Sequence, residues 1–268
     1  MPELPEVQTV VNSLQEAVKN KIKSFSFSWE RVIYNHSPSN LEKKINNNNI
    51  NNISRIGKYI LIYLDNYILA CHLRMTGYLY ISSEIPKNKK HVRCYFELSN
   101  GKYLIFKDIR KFGGFFLYNN LDILTNKLGL DPFDKLFTRD WLLQNCKNKK
   151  RKIKNLLLDQ SFICGLGNIY VDEVLWHSKI RPNKISNNIP KLKILNMHYY
   201  IQHILEESIK YHGTTIINFK FDNMKTGNYK NNLKVYGREN LPCFSCDNII
   251  SKNKTAGRST HFCKSCQN

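Results

Sequence analysis

Acidic residues are scarce in this chain: 21 Asp and Glu stand against 41 Lys and Arg among 268 residues, leaving a formal charge of +20 at pH 7 and a pI near 9.6. An excess of that size calls for a polyanionic partner, because cationic side chains displace the counterions condensed on phosphate backbones. A membrane surface would also want a basic amphipathic helix, and none is evident. Part of the excess tracks an Asn- and Lys-rich composition, as the run Asn46–Asn52 shows, so charge alone does not decide for nucleic acid. Long apolar runs are missing as well, and no stretch approaches the roughly 20 residues of a helical membrane span. The opening Met1-Pro2-Glu3-Leu4-Pro5-Glu6 has neither the basic nor the apolar region of a signal peptide. A soluble cytoplasmic protein is expected, with no membrane partner. No internal repeat is visible.

The chain is long enough for one large domain or for two or three modest ones. Val7, Val10, Val11, Leu14 and Val18 recur at helical spacing, which predicts one helix over Val7–Val18 after an extended prolyl arm. From Ile22 to Tyr118 the pattern changes to short β-rich runs, among them Tyr59–Leu64, Tyr67–Leu73, Val92–Leu98, Tyr103–Phe106 and Phe115–Tyr118. Beyond Asp131-Pro132 the period turns helical over Arg139–Cys146, Ile153–Leu158, Ile169–His177 and Pro190–Tyr211, with Gly213 placed to end the last helix. Short strands return after Tyr229. The expected class is α+β: an N-terminal β-sandwich with a flanking helix (1–130), an all-α segment (131–228) and a C-terminal cysteine-rich hairpin (229–268).

The eight cysteines divide unevenly. Cys71, Cys94, Cys146 and Cys164 lie singly among apolar residues and read as buried reduced thiols. Cys243-x-x-Cys246 and Cys263-x-x-Cys266 instead form two knuckles at the spacing of a four-cysteine zinc ribbon. Four thiolates close the coordination shell, so the one Zn2+ is expected to be structural. Small residues around Ala256-Gly257 suit a hairpin tip that would present Arg258 outward.

Removal of Met1 would expose the secondary amine of Pro2 beside the Glu3 carboxylate. An α-amino group has a reference pKa of about 7.7–8.0 against about 10.4 for lysine, so far more of it is nucleophilic free base at neutral pH. Attack on a sugar C1′ yields an iminium that cannot discharge by losing an N–H proton. It therefore acidifies C2′, and strand cleavage by elimination follows. Glu3 is placed to shuttle protons, and Glu6 to orient. Taken alone, Pro-x-x-Pro also fits a stiff extended leader.

Five separated motifs turn that balance. Pro2-Glu3-Leu4-Pro5-Glu6-Val7, His72-Leu73-Arg74-Met75-Thr76-Gly77, Gly165-Leu166-Gly167-Asn168-Ile169-Tyr170, Val235-Tyr236-Gly237-Arg238 and the cysteine ribbon together resemble the formamidopyrimidine-DNA glycosylases, from residue 2 to residue 267. The resemblance implies excision of 8-oxoguanine and ring-opened purines from double-stranded damaged DNA, then β- and δ-elimination. It makes Pro2 the Schiff-base nucleophile, Glu3 the proton donor for base release, Lys58 the donor for β-elimination and Arg258 the donor for δ-elimination.

A base within a duplex is reached only by flipping, and something must fill the space it leaves. Met75, Arg110 and Phe112 match that role, as a pliable filler, a fork of donors for the orphaned base and a flat wedge. Ile109 stands where the family commonly has proline, which removes one restraint on this loop. The resemblance also places Gly165–Asn168 in a helix–two-turn–helix element, with Asn168 and Lys154 clamping the DNA backbone, and it aligns His91 and Lys149 with DNA contacts. A loop near Asp222–Tyr229 is expected to cover the flipped base. A monomer is expected. Endonuclease VIII, which prefers oxidised pyrimidines, shares the fold and the proline chemistry, but Leu4 and the Met75/Arg110/Phe112 trio favour the purine enzyme. A non-catalytic zinc-ribbon DNA-binding protein would explain charge and cysteines while leaving Pro2-Glu3 idle.

Overall fold

Helix α1 (Leu4–Ser13) starts inside the prolyl stretch, three residues before the apolar period predicts, and ends five residues before Val18. Pro5 sits in its first turn, where a backbone N–H would have no intrahelical acceptor, so proline costs nothing there. The Glu6 carboxylate turns back to accept the Glu3 N–H at 2.8 Å and closes the helix start. Leu4, Val7, Val10 and Val11 form the buried face. The computed structural model describes residues 1–215, 225–255 and 257–268; the expected Asp222–Tyr229 loop lies partly outside them.

Eight strands follow: β1 (Ile22–Phe27), β2 (Asn52–Ile56), β3 (Tyr59–Tyr63), β4 (Ile68–His72), β5 (Gly77–Ser82), β6 (Val92–Leu98), β7 (Tyr103–Asp108) and β8 (Gly114–Tyr118). Helix α2 (Pro38–Ile45) lies between β1 and β2, its N-terminus capped by Ser37. The strands form two antiparallel four-stranded sheets, ordered β1-β6-β7-β5 and β2-β3-β4-β8. Strand β6 alternates strictly between buried and half-buried positions, the period of a strand with one face on the core. The Phe115 ring of β8 packs on Phe96 of β6 and Phe106 of β7, each at 5.3 Å between centroids, so the two sheets face one another across a shared core. The Val10 face of α1 belongs to the same core. The expected sandwich with a flanking helix is thus present.

The described residues group into two compact units, 1–125 with 211–230 and 126–210 with 231–268. Residues 211–215 join the first unit through Glu6 of α1, whose Oε1 accepts the Thr214 N–H at 2.6 Å. Gly213 before it adopts φ +83°, and a Cβ there would lie 2.8 Å from Glu6 Oε1. The first left-handed residue after the preceding helix is His212 at φ +62°, not the expected glycine; Gly213 instead admits the carboxylate.

Short helix α3 (Asp122–Thr125) closes the first stretch of the sheet unit. The second unit holds α4 (Arg139–Lys147), α5 (Ile153–Leu158), α6 (Asn168–His177), α7 (Lys191–Lys210) and the hairpin β9 (Ile250–Thr255) and β10 (Arg258–Cys263). Thr138 caps α4 by accepting the Trp141 N–H at 3.1 Å. Tyr170 of α6 and Ser208 of α7 share a buried hydroxyl hydrogen bond of 2.6 Å. The cysteine hairpin packs within this unit, since Val235, Cys243, Ile250 and Cys263 form a small core against Trp176 of α6. The scattered cysteines Cys71, Cys94, Cys146 and Cys164 are buried free thiols, as their apolar surroundings predict.

Candidate active site

Pro2 and Glu3 are buried at the start of α1, while Met1 is about half exposed. Helix α1 packs against β2 and β3, and Arg55 of β2 ties them by donating from Nε to Gln8 Oε1 at 3.1 Å. Lys58 occupies the tight turn between β2 and β3, which Gly57 makes possible at φ +52°. The Lys58 side chain is buried, not a solvated strand-edge cation. It lies close enough to His72 for its charge to bear on the imidazole. Burial first, then the charges of Arg74 and Lys58, push His72 down to about 3, so the ring is neutral at physiological pH. His72 Nδ1 accepts the Arg74 N–H at 3.0 Å, which leaves the ring proton on Nε2 as a donor.

Met75, Arg110 and Phe112 come together from the β4–β5 and β7–β8 loops. Arg110 Nη1 lies 3.1 Å from Met75 Sδ, and its guanidinium stacks 4.7 Å above the Phe112 ring. Met75 and Phe112 are 45% and 50% exposed, so they form a projecting apolar surface, not the core their types suggest. The Asp108 carboxylate, wholly buried, holds both loops. It accepts the Thr76 hydroxyl, the Arg110 N–H at 3.1 Å, the Phe112 N–H at 2.8 Å and the Gly113 N–H at 2.7 Å. Tyr34 adds a hydroxyl hydrogen bond of 2.5 Å to the Phe112 carbonyl. A cavity of about 620 Å³ opens beside Phe112, lined by Trp29, Arg31, Tyr34, Arg74 and Lys111. His91 adopts φ +69°, and its carbonyl accepts the Asp108 N–H at 2.9 Å.

In the second unit Arg258 is exposed at the start of β10, paired with Thr255 across the hairpin. Lys154 departs from the expected backbone clamp: its side chain is wholly buried, with Nζ 2.6 Å from Asp172 Oδ1 and 3.1 Å from the Ser259 carbonyl oxygen. A cation sealed from solvent and paired in this way braces the hairpin from within the protein. Asn168 donates from Nδ2 to the same carbonyl at 2.9 Å, so that amide nitrogen is also engaged. Gly167 caps α6, and Gly165 makes the preceding turn at φ +96°. Within the basic run, Lys147 donates to the Asn187 and Ile189 carbonyls and Arg151 pairs with Asp159 at 2.6 Å. Lys149 lies half-buried over the Phe162 ring.

The sulfurs of Cys243, Cys246, Cys263 and Cys266 lie within 4.8 Å of one another. Two of the separations are 3.9 Å (Cys243–Cys266) and 3.5 Å (Cys246–Cys263). Tetrahedral zinc with Zn–S bonds of about 2.3 Å requires sulfurs just under 4 Å apart, so the four ligands fit one Zn2+. Trp176 donates its indole N–H to Cys243 Sγ at 3.4 Å, and the Cys266 N–H points at Cys263 Sγ at the same distance. Such donors stabilise bound thiolates. The metal is structural, because the protein fills all four positions.

Comparison with known proteins covers the whole chain. Residues 1–115 match the formamidopyrimidine-DNA glycosylase N-terminal domain, residues 128–220 the H2TH domain of the same enzymes, and residues 240–268 the zinc finger found in FPG and IleRS. The chain belongs to the formamidopyrimidine-DNA glycosylase family. The member from Pelotomaculum thermopropionicum is 40% identical over 273 residues, covering 100% of this chain and 99% of that protein. The Mycoplasma genitalium member is 40% identical, covering 100% and 96%. A Lactococcus lactis Fpg variant solved in complex with Fapy-dG-containing DNA superimposes with a TM-score of 0.93 at 36% identity, over 99% of each chain. The Fpg complex with DNA containing an abasic site gives 0.91 at 35%, again over 99% of each.

Motifs alone leave three supporting residues of this formamidopyrimidine-DNA glycosylase family member unassigned. Asp108 sits two, four and five residues before N–H groups that it accepts, an Asx-type signature legible in Asp108-x-Arg110-x-Phe112-Gly113. Asp172 and Glu173 look like solvated helix charges in the sequence, yet both are buried. Glu173 accepts the N–H groups of Lys234, Val235 and Tyr236 at 2.8, 2.9 and 2.8 Å, which fixes the Val235-Tyr236-Gly237-Arg238 motif on α6.

Proposed function

We propose that this protein removes oxidised purines, 8-oxoguanine and formamidopyrimidines, from duplex DNA and cleaves the emptied strand. The observation that carries the reading is the wedge: Arg110 bridges Met75 and Phe112 in one exposed cluster. Such a cluster suits the space left by a flipped nucleotide, with the guanidinium facing the orphaned base. The relatives crystallised with Fapy-dG and with abasic DNA support the same substrate class.

In this reading the nucleophile exists only after Met1 is removed, since the Met1–Pro2 peptide ties up the amine. The Pro2 nitrogen attacks C1′, the bond to the base breaks, and Glu3 supplies the proton that the ring opening needs. The resulting iminium acidifies C2′. Loss of that proton breaks the C3′–O bond, with Lys58 donating to the leaving phosphate. Loss of the C4′ proton then breaks the C5′–O bond, with Arg258 as donor, and water releases Pro2 from the sugar fragment. His91, Lys149 and Asn168 contact the backbone; Lys154 acts from beneath. The partner is double-stranded damaged DNA, and the protein acts as a monomer at the nucleoid.

Borohydride trapping on a duplex carrying one 8-oxoguanine opposite cytosine tests this. A lesion-dependent covalent adduct mapping to Pro2, and lost in Pro2→Gly, is the expected result. No adduct from zinc-loaded protein with Met1 confirmed absent would leave a DNA-binding protein without this chemistry.

A further inference from the structure

The Ser259 carbonyl, one residue from Arg258, receives two donors from the helical segment: Lys154 Nζ at 3.1 Å and Asn168 Nδ2 at 2.9 Å. A carbonyl has two lone pairs, so this one is saturated and its direction fixed. Lys154 is itself oriented by Asp172, at 2.6 Å with both side chains wholly buried. The other Asp172 oxygen accepts the His261 N–H at 2.8 Å, two residues further along β10. The His261 ring continues outward, with Nδ1 3.4 Å from Asp172 Oδ2 and Nε2 3.2 Å from Glu239 Oε2. One helix carboxylate thus grips β10 on both sides of Thr260, directly at His261 and through Lys154 at Ser259.

A buried ion pair is a poor source of net stability, because desolvating two charges offsets most of their attraction. Its contribution is directional: an ammonium bound to a buried carboxylate cannot leave Ser259 without stranding a charge. The hairpin needs such a hold, since its own core is four residues and the zinc ligands lie at the end of β10 opposite Arg258. Zinc fixes Cys263; it leaves the tip free to pivot.

We propose that Asp172, acting through Lys154, is a positioning residue for Arg258, setting the placement of the hairpin tip and so the efficiency of the second elimination. The inference rests on the reading of Arg258 as the δ-elimination donor. Pro2 chemistry and the first elimination do not depend on it.

The test reads the two eliminations separately. On abasic duplex DNA, β-elimination alone leaves a 3′ unsaturated aldehyde, whereas completion of δ-elimination leaves a 3′ phosphate. Asp172→Asn is expected to lower the phosphate-to-aldehyde ratio by about tenfold, the scale of a misplaced catalytic group. Borohydride trapping and zinc content should change far less. Should Asp172→Asn lose zinc, the double variant Lys154→Met/Asp172→Leu decides, because it replaces the pair by apolar groups of similar volume. A zinc-loaded double variant with a lowered ratio supports the proposal; a wild-type ratio in either zinc-loaded variant overturns it, as would loss of zinc by both. Arg258→Ala run alongside separates the two claims. If it leaves the ratio unchanged, the donor assignment falls and takes this inference with it; if only the Asp172 variants do, the donor assignment stands alone.

Discussion

Asp108 Oδ2 accepts the Phe112 N–H at 2.8 Å, so a carboxylate in the core holds a ring that is half exposed. The same carboxylate binds Thr76 on the loop carrying Met75. It therefore couples the two halves of the wedge and supplies the rigidity that Ile109, in place of proline, does not. Asp108→Asn removes an acceptor and presents an NH2 to backbone N–H groups. A loss of roughly 1–3 kcal/mol in thermal stability is expected, the cost of buried donors left unpaired. Single-turnover base release from 8-oxoguanine should fall more than strand cleavage at a ready-made abasic site, where no flipping has to be achieved. Equal losses in the two assays would separate Asp108 from the wedge.

Arg110 is the polar member of that wedge and the one with donors to offer a base. Arg110→Ala leaves Met75 and Phe112 to fill space but removes the fork. Discrimination between cytosine and adenine opposite the lesion should shrink by about tenfold, the scale of one charge-assisted hydrogen bond pair. Single-turnover kcat/KM on the two duplexes measures it. An unchanged ratio would move base reading elsewhere.

Much of this is legible in the sequence, for identifiable reasons. The sandwich shows through β6, whose strict alternation is a local signal, and the zinc site through cysteine spacing. The apolar period sets the start of α1 three residues late because Pro5 reads as a breaker unless it falls in a first turn. Resemblance names the wedge residues, but not what holds them. Asp172 and Glu173 act over distances that are short in space and long in sequence, such as the 89 residues from Asp172 to His261, whereas Asp108 reaches mostly its own loop and only its bond to Thr76 is remote. Lys154 shows the reverse failure. A lysine after a basic run reads as a surface contact, and only tertiary structure reveals the buried carboxylate that claims it.

Acidification should destabilise the protein through two histidines. Burial is the main cause in both, holding His72 down to about 3 and His177 down to about 4, against an ordinary value of 6.5. Their folded values lie below the unfolded one, so between them the unfolded state binds more protons and stability falls as pH falls. The window opens near pH 6.5 and closes near pH 3 to 4. Within it each histidine costs up to about 1.4 kcal/mol per pH unit, less for the partly exposed His177. Midpoints of thermal unfolding from about pH 7.5 to 5 check this. His72→Asn, which keeps an acceptor for the Arg74 N–H without a titrating ring, should flatten the slope. A variant as pH-sensitive as the parent would acquit His72.

Zinc removal should act on the Arg258 hairpin through a core too small to stand alone. Val235, Cys243, Ile250 and Cys263 are its buried apolar members, and two of the four are metal ligands. Without the ion, four thiols crowded within 4.8 Å lose their reason to converge, and a structural zinc contributes on the order of 10 kcal/mol to such a site. Chelation is therefore expected to abolish δ-elimination and to weaken duplex binding strongly, and added Zn2+ should restore both. Trp176 provides a local reporter, since its indole N–H is bonded to Cys243 Sγ. Its fluorescence should change in step with the loss of activity. If the apoprotein kept its affinity and its product pattern while Trp176 responded, the hairpin would be held by the Asp172–Lys154 contacts alone, and zinc would be dispensable for placing Arg258.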